Sequence, residues 1–375
     1  MSLQEQSIYM AMELSKRTWR ICFGDGGQNK RQVAINAVDA RNLEDRMSFV
    51  KQIALAKKRF GLASNCKVIS CYEAGRDGFW IHRFLTELGI ENIVIDPSSI
   101  EVPRRARIRK TDRLDVSRLL DLLLRDKCYG LSRPYSVVVV PGAKDEDLMR
   151  LNRERSRLVK ERGSHSVRIQ ALCTTHGIPD VYLDFMEDAS VLRNWQDDTL
   201  AEGACGEIQR ELLRLRIAEK QVKELERQQK EALEAQATVA DQKAAKLFLI
   251  KGTGIQTAML LGREVFGWRT FPNRRALGSF LGLTGTPYDS GETLREQGIS
   301  KSGSGRLRTA MIEYAWGWVR YQPDSELTKW FNERFALGSA RSRKKGIVAL
   351  ARKLIIALWK YVEFDEIPAG AKFKS

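Results

Sequence analysis

Histidine is scarce in this sequence: His82, His165 and His176 are the only three in 375 residues, which leaves a histidine-rich zinc site little to draw on. Cysteine offers little more. The six, at positions 22, 66, 71, 128, 173 and 205, form no close C-x-x-C pair and no disulfide-dense spacing, so a reducing compartment is expected. No apolar run reaches bilayer-spanning length, and no basic-then-apolar leader opens the chain. Membrane insertion and secretion are therefore not expected; a cytoplasmic, DNA-associated protein is. Acidic residues are also in short supply, 47 against 63 lysines and arginines, and the formal charge of +16 implies a polyanionic partner. That charge speaks to binding and solubility, not to fold.

The acids that are present fall in telling places. A basic run, Arg104, Arg105, Arg107, Arg109 and Lys110, ends in Thr111-Asp112-Arg113-Leu114-Asp115. Leu114, Leu119, Leu122 and Leu123 then give an apolar stripe at helical spacing, which puts Asp112 and Asp115 on one face of the first turn. Two carboxylates so close repel unless a cation or proton sits between them, although acids also favour a first turn for its dipole alone. Glu73 follows the strand-like run 67–72 and precedes the turn Ala74-Gly75-Arg76-Asp77-Gly78, so it ends a strand where open α/β sheets place ligands. Glu13 is the only acid in the first predicted strand, residues 7–14, and is costly there unless something pairs with it. These four acids could hold two divalent ions, one activating a nucleophile and one easing departure of a phosphate oxygen.

The predicted order over residues 1–135 is three strands (7–14, 19–24, 32–38), a helix (42–58), a strand (68–71), a helix (79–88), a strand (92–95), the basic loop and the acidic helix. The helix over 42–58 is expected to bury Leu43, Met47, Val50 and Ile53. This order fits an α/β, RNase H-like or RuvC-like domain. Residues 136–245 read as a basic helical connection: a helix over 145–172, an irregular stretch, then Ile208, Leu212, Leu215, Ala218, Val222 and Leu225 as a heptad-like seam. Spacing leaves open whether that seam pairs within the chain or with another subunit. Residues 246–375 read as a mainly α-helical domain. Its Gly252-Thr253-Gly254 turn is either a helix-hairpin-helix element or an ordinary joint between helices. A loop over 282–302 holds Ser290-Gly291, with Arg295, Lys301, Arg306 and Arg308 to hold a phosphate should Ser290 attack one. A last helix begins with Arg341, Arg343, Lys344 and Lys345, which suit phosphate or simply face solvent.

Taken together and in order, Glu13-Leu14-Ser15-Lys16, Tyr72-Glu73-Ala74-Gly75, Lys110 to Asp115, Gly252-Thr253-Gly254, Phe280-Leu281-Gly282-Leu283, Ser290-Gly291, Ile299-Ser300-Lys301-x-Gly303 and Leu307-Arg308 resemble the IS110/IS1111-type insertion-sequence transposases over nearly the whole chain. The resemblance implies a RuvC-like domain with an acidic tetrad, a coiled-coil connection and a C-terminal transposase domain with a conserved serine. It implies that Glu13, Glu73, Asp112 and Asp115 bind magnesium, with manganese as the alternative ion, and that Ser290 forms a covalent link to a DNA strand. The implied partners are double-stranded target and donor DNA, a structured noncoding guide RNA, and further copies of the chain in a dimer or tetramer. The family usually carries aspartate where this chain has Glu13. One extra methylene moves the carboxylate by about 1.5 Å, so a backbone shift or a water-bridged ion is needed. Rival readings are a metal-dependent DNA junction endonuclease and a catalytically degenerate nucleic-acid-binding protein.

Overall fold

The structure is a computed structural model that describes residues 6–100, 112–290 and 293–374, with residues 112, 113, 185, 286–290 and 293–297 described by their backbone alone. The chain divides into two compact units, residues 1–140 and 141–375, where the sequence reading set boundaries at 135 and 245. Among the described residues no helix is long and apolar enough to cross a membrane.

The first unit is built on a five-stranded mixed sheet in the order β3-β2-β1-β4-β5. Strands β1 (Ser7–Leu14), β2 (Thr18–Gly24) and β3 (Lys30–Asn36) form an antiparallel meander. Helix α1 (Leu43–Arg59) follows, then β4 (Lys67–Glu73), α2 (Trp80–Glu87) and β5 (Glu91–Ile95), with β4 parallel to both β1 and β5. The central strand β1 is covered on both faces, which is why its sequence reads as one apolar run from Ile8 to Met12. One face packs Ile8, Met10 and Met12 with Trp19, Phe23 and Tyr72 against α1 and α2. The other packs Tyr9, Ala11, Cys22, Ile69 and Cys71 against Val116, Leu119, Leu120, Leu123 and Leu124 of α3 (Asp112–Lys127).

Two side-chain expectations fail here. Helix α1 buries Phe49, Ile53 and Ala56, whereas Leu43, Met47 and Val50 are exposed. The helix carries two apolar rows, and the aromatic one wins because Phe49 meets Trp19 and Phe84, at ring separations of 6.1 and 5.8 Å. Leu114 likewise lies exposed, two residues before Val116, the first buried side chain of α3 among the described residues.

The second unit opens with two long helices, α4 (Ala143–Thr175) and α5 (Glu202–Ala235), each about 50 Å long at 1.5 Å per residue. They run antiparallel, as the pairs Arg155–Glu226 and His165–Glu211 require. The seam foreseen on α5 is buried from Ile208 to Leu225 and pairs with α4 of the same chain. Beyond it, α6 (Val239–Phe248), α7 (Ile255–Leu261) and α8 (Arg274–Phe280) lead into a hairpin of β6 (Gly285–Ser290) and β7 (Thr293–Ile299). The chain ends in α9 (Gly305–Tyr321), α10 (Glu326–Phe331) and α11 (Ala340–Phe364), all packed around Trp318, Leu350 and Leu354. The stretch expected to be a loop over 282–302 is thus largely a two-stranded ribbon. Its Asp-Ser-Gly-Glu sequence carried a turn signal that obscured the flanking strands.

Candidate functional site

Strand register decides where the first two acids go. β1 and β4 are parallel neighbours with Met12 beside Tyr72, so the next residues, Glu13 and Glu73, stand side by side at the carboxyl ends of both strands. Side chains alternate along a strand. Tyr9 and Ala11 on β1, and Ile69 and Cys71 on β4, face α3, and Glu13 and Glu73 continue those two rows. Burial first, and then the negative charge of Glu73, push the Cys71 thiol upward, a mark of how near that carboxylate lies.

Helix α3 brings the aspartates to the same edge. It runs opposite to β1: its last turn meets the start of the strand, where the Tyr9 hydroxyl donates to the Lys127 carbonyl at 3.5 Å. Further along, the Cys71 thiol lies 3.8 Å from the Leu119 carbonyl. Going back four helical residues from Leu119 to Asp115 covers about 6 Å. Going forward two strand residues from Cys71 to Glu73 covers about 6.6 Å. Asp115 therefore stands level with the glutamates, and the Asp112 backbone lies one turn beyond; the Asp112 side chain lies outside the described residues.

The donor set is oxygen only, which suits magnesium or manganese rather than zinc. Among the described residues no group of three or more His, Cys, Asp or Glu side chains stands together to hold an ion. Magnesium does not demand such a cage, because it keeps several waters and is held through one or two carboxylates plus substrate phosphates. Adjacent glutamates at one register level, with Asp115 above them, fit that kind of binding.

Cations surround the acids. Arg20 on β2 is the register partner of Glu13 and shares its face. Lys16 and Arg17 are exposed in the turn after β1, and Arg76 is exposed in the turn after β4. None of the four is among the nucleic-acid contacts expected from the sequence, and only strand pairing puts Arg20 beside Glu13. The expected run, Arg104, Arg105, Arg107, Arg109 and Lys110, lies outside the described residues.

In the second unit Ser290 is the last residue of β6 and pairs with Thr293 across the hairpin end. The side chains of Ser290 and Arg295 lie outside the described residues. The base of the ribbon is tied by backbone bonds from Ser300 N to Thr284 O at 2.8 Å and from Lys301 N to Gly282 O at 3.3 Å. Two glycines make that closeness feasible. Gly282 (φ +65°) and Gly303 (φ +82°) have left-handed backbones, and a Cβ on either would collide with the Ser302 or Phe280 carbonyl oxygen. The Gly252 turn (φ +87°) is likewise filled from within, by Tyr321.

The predicted phosphate ligands of this unit divide. Arg306 is ion-paired to the buried Glu264, which Arg153 also approaches at 3.9 Å. Burial and then the charge of Arg153 hold the Arg306 guanidinium below its ordinary range. Lys301 is exposed, and Arg308 donates to the Leu281 carbonyl at 3.3 Å. Arg341, Arg343, Lys344 and Lys345 are exposed on the first turns of α11, with the Arg343 guanidinium 5.9 Å from the Trp316 ring centre. Cations at a helix N-terminus oppose the macrodipole, so these four form a positive patch at a place that helix stability alone disfavours.

Residues 244–329, from α6 through the hairpin into α10, match the family model described as Transposase IS116/IS110/IS902 family. A Sinorhizobium fredii protein named "Putative transposase y4rJ" is 37% identical over 384 residues, covering 98% of this chain and 95% of its own. The transposase for insertion sequence element IS1328 of Yersinia enterocolitica is 26% identical over 323 residues, covering 81% of this chain and 89% of its own. A "Probable family 20 transposase" of Pseudomonas aeruginosa is 28% identical over 239 residues, covering 62% and 68%.

Proposed function

The chain belongs to the IS116/IS110/IS902 family of transposases, and from that membership we propose an RNA-guided recombinase in which a RuvC-like domain supplies metal-binding acids and a second domain supplies a nucleophilic serine. As a transposase it is an enzyme that cuts and joins DNA. The observation that carries the finer reading is the meeting of Glu13, Glu73 and the start of α3 at one edge of the sheet.

Glu13, Glu73, Asp112 and Asp115 are the residues that would hold magnesium. Once bound, the ion supplies Lewis acidity at the scissile phosphate and favours the ionised form of the attacking hydroxyl. Ser290 Oγ attacks phosphorus; the Oγ–P bond forms, the P–O3′ bond breaks, and the serine proton ends on the departing 3′ oxygen. The phosphoserine ester retains the energy of the broken bond. A 3′-hydroxyl from the partner strand reverses the step and completes the exchange. Lys301, Arg308 and the basic start of α11 neutralise flanking phosphates. Base pairing with the guide RNA selects target and donor DNA, and copies of the chain assemble to bring the strands together.

The test is incubation with branched DNA, magnesium and the RNA transcribed beside the gene. Wild-type protein is expected to give joined strands and a covalent protein–DNA species, and Ser290→Ala to give neither. An undiminished adduct in that variant removes Ser290 from the mechanism. Hydrolysed ends without an adduct identify a junction endonuclease instead.

A further inference from the structure

Arg269 has an unusual setting. Its guanidinium carbon lies 4.6 Å from the ring centre of Phe280, 5.2 Å from that of Phe271 and 6.0 Å from that of Trp268. Its Nε is buried with no hydrogen-bond partner. Among the described residues none pairs with it as a carboxylate or accepts a hydrogen bond from it. Burial holds its charge below the ordinary arginine range. A guanidinium whose Nε is shut off from water without an acceptor costs free energy, and ring faces replace only part of that lost hydration.

The neighbourhood repeats the pattern. Arg308 bonds the Leu281 carbonyl, and Arg352 Nε stands 3.6 Å from where a Cβ of Gly278 would be. Neither has a carboxylate partner among the described residues. Three arginines thus lie beside α8 or the residue after it, near Gly278, Phe280 and Leu281, immediately before the chain enters the Ser290 hairpin. Elsewhere the unit pairs such arginines: the buried Arg263 is held by Asp241 at 2.8 Å, and the half-buried Arg306 by Glu264.

We propose that Arg269, seated on the rings of Phe280, Phe271 and Trp268, is a receptor for a backbone phosphate of nucleic acid, with Arg308 and Arg352 contributing to the same positive surface. The rings hold the planar guanidinium in one orientation, and its fork matches phosphate oxygens. The ligand chemistry is a phosphodiester, shared by DNA and RNA. The inference rests on the reading that the chain grips nucleic acid and is independent of Ser290 or magnesium chemistry.

The test compares full-length wild type, Arg269→Gln and Arg269→Lys in binding a labelled DNA duplex and, separately, a single-stranded RNA, from 50 to 200 mM salt, with melting temperatures alongside. Losing one phosphate contact should make the salt slope shallower by about 0.9 on the duplex or about 0.7 on the single strand. The wild-type advantage over Arg269→Gln should then shrink about three-fold across that salt range. Arg269→Lys should keep the slope, and the melting temperature of Arg269→Gln should stay level or rise, since an uncompensated charge has gone. Loss confined to one polymer supports the proposal and names that polymer. An unchanged slope on both, with or without a fall in melting temperature, overturns it and leaves Arg269 as a clamp for aromatic packing. Wild type that binds neither polymer overturns this inference and the nucleic-acid reading together.

Discussion

The two ends of the five-stranded sheet treat charge in opposite ways. At the amino end Glu91 opens β5 between Lys67, at 2.7 Å, and Lys127, at 3.0 Å, so one acid meets two cations and ties β4, β5 and the end of α3 together. At the carboxyl end β1 and β4 place Glu13 and Glu73 side by side, and α3 adds Asp115 at the same level. Like charges at one register position are a cost in a sheet. The first arrangement serves stability. The second sets two glutamates side by side, with Arg20 as the register neighbour of Glu13 and Lys16, Arg17 and Arg76 exposed in the adjoining turns.

Substitutions at the two ends should therefore separate activity from stability. The largest effect is expected from Glu73→Gln, which should lower strand cutting by about 10³-fold, the worth of several kcal/mol of metal-assisted stabilisation, while leaving the melting temperature level or higher. Equal losses of activity and stability would make Glu73 a structural acid. Gly282→Ala and Gly303→Ala should each cost about 3 kcal/mol in the second unit, because a left-handed backbone and a collision with a carbonyl must both be relieved. Denaturant unfolding of the variants measures it. Glu13→Asp should speed cutting by about 10-fold, equivalent to about 1.4 kcal/mol, if glutamate overreaches the ion; a slower variant would show that β1 has adapted to the longer side chain.

The smallest effect belongs to the amino end. The hydrogen bond from Lys67, and then those of Lys127, outweigh desolvation and hold the Glu91 carboxyl below the ordinary glutamate range. A depressed folded-state value contributes stability that is present above the unfolded value, about 4.3, and is lost as pH falls through the folded one. Because Glu91 is partly exposed, its share should be under about 1 kcal/mol. Glu91→Gln should flatten acid destabilisation below about pH 4.3 and leave strand cutting unchanged, and a large fall in cutting would break the division between the two ends.

Much of this contrast was legible in the residues, and the part that was not has a common physical origin. A continuous apolar run marked β1 from Ser7 to Leu14, and the alternating steps on α5 marked its seam, because both patterns are local. Which row of α1 faces the core depended on Trp19 and Phe84, which lie far away in sequence, so Leu43, Met47 and Val50 were misplaced. Strand pairing is equally nonlocal. Arg20 became a neighbour of Glu13 only through register, and the hairpin around Ser290 emerged only when Thr293 was paired with it. Gly282 and Gly303 stood out as motif residues, but their work at the base of the ribbon is a contact between two chain segments that no spacing reveals.

The most direct test of the central claim replaces magnesium with ferrous iron and maps where peroxide-generated hydroxyl radicals cut the protein backbone. A metal held at the carboxyl end of the sheet predicts cleavage near residues 13 and 73 and near the first turn of α3, suppressed by excess magnesium and by Glu73→Gln. Cleavage confined to other segments, or unaffected by that substitution, would contradict the account.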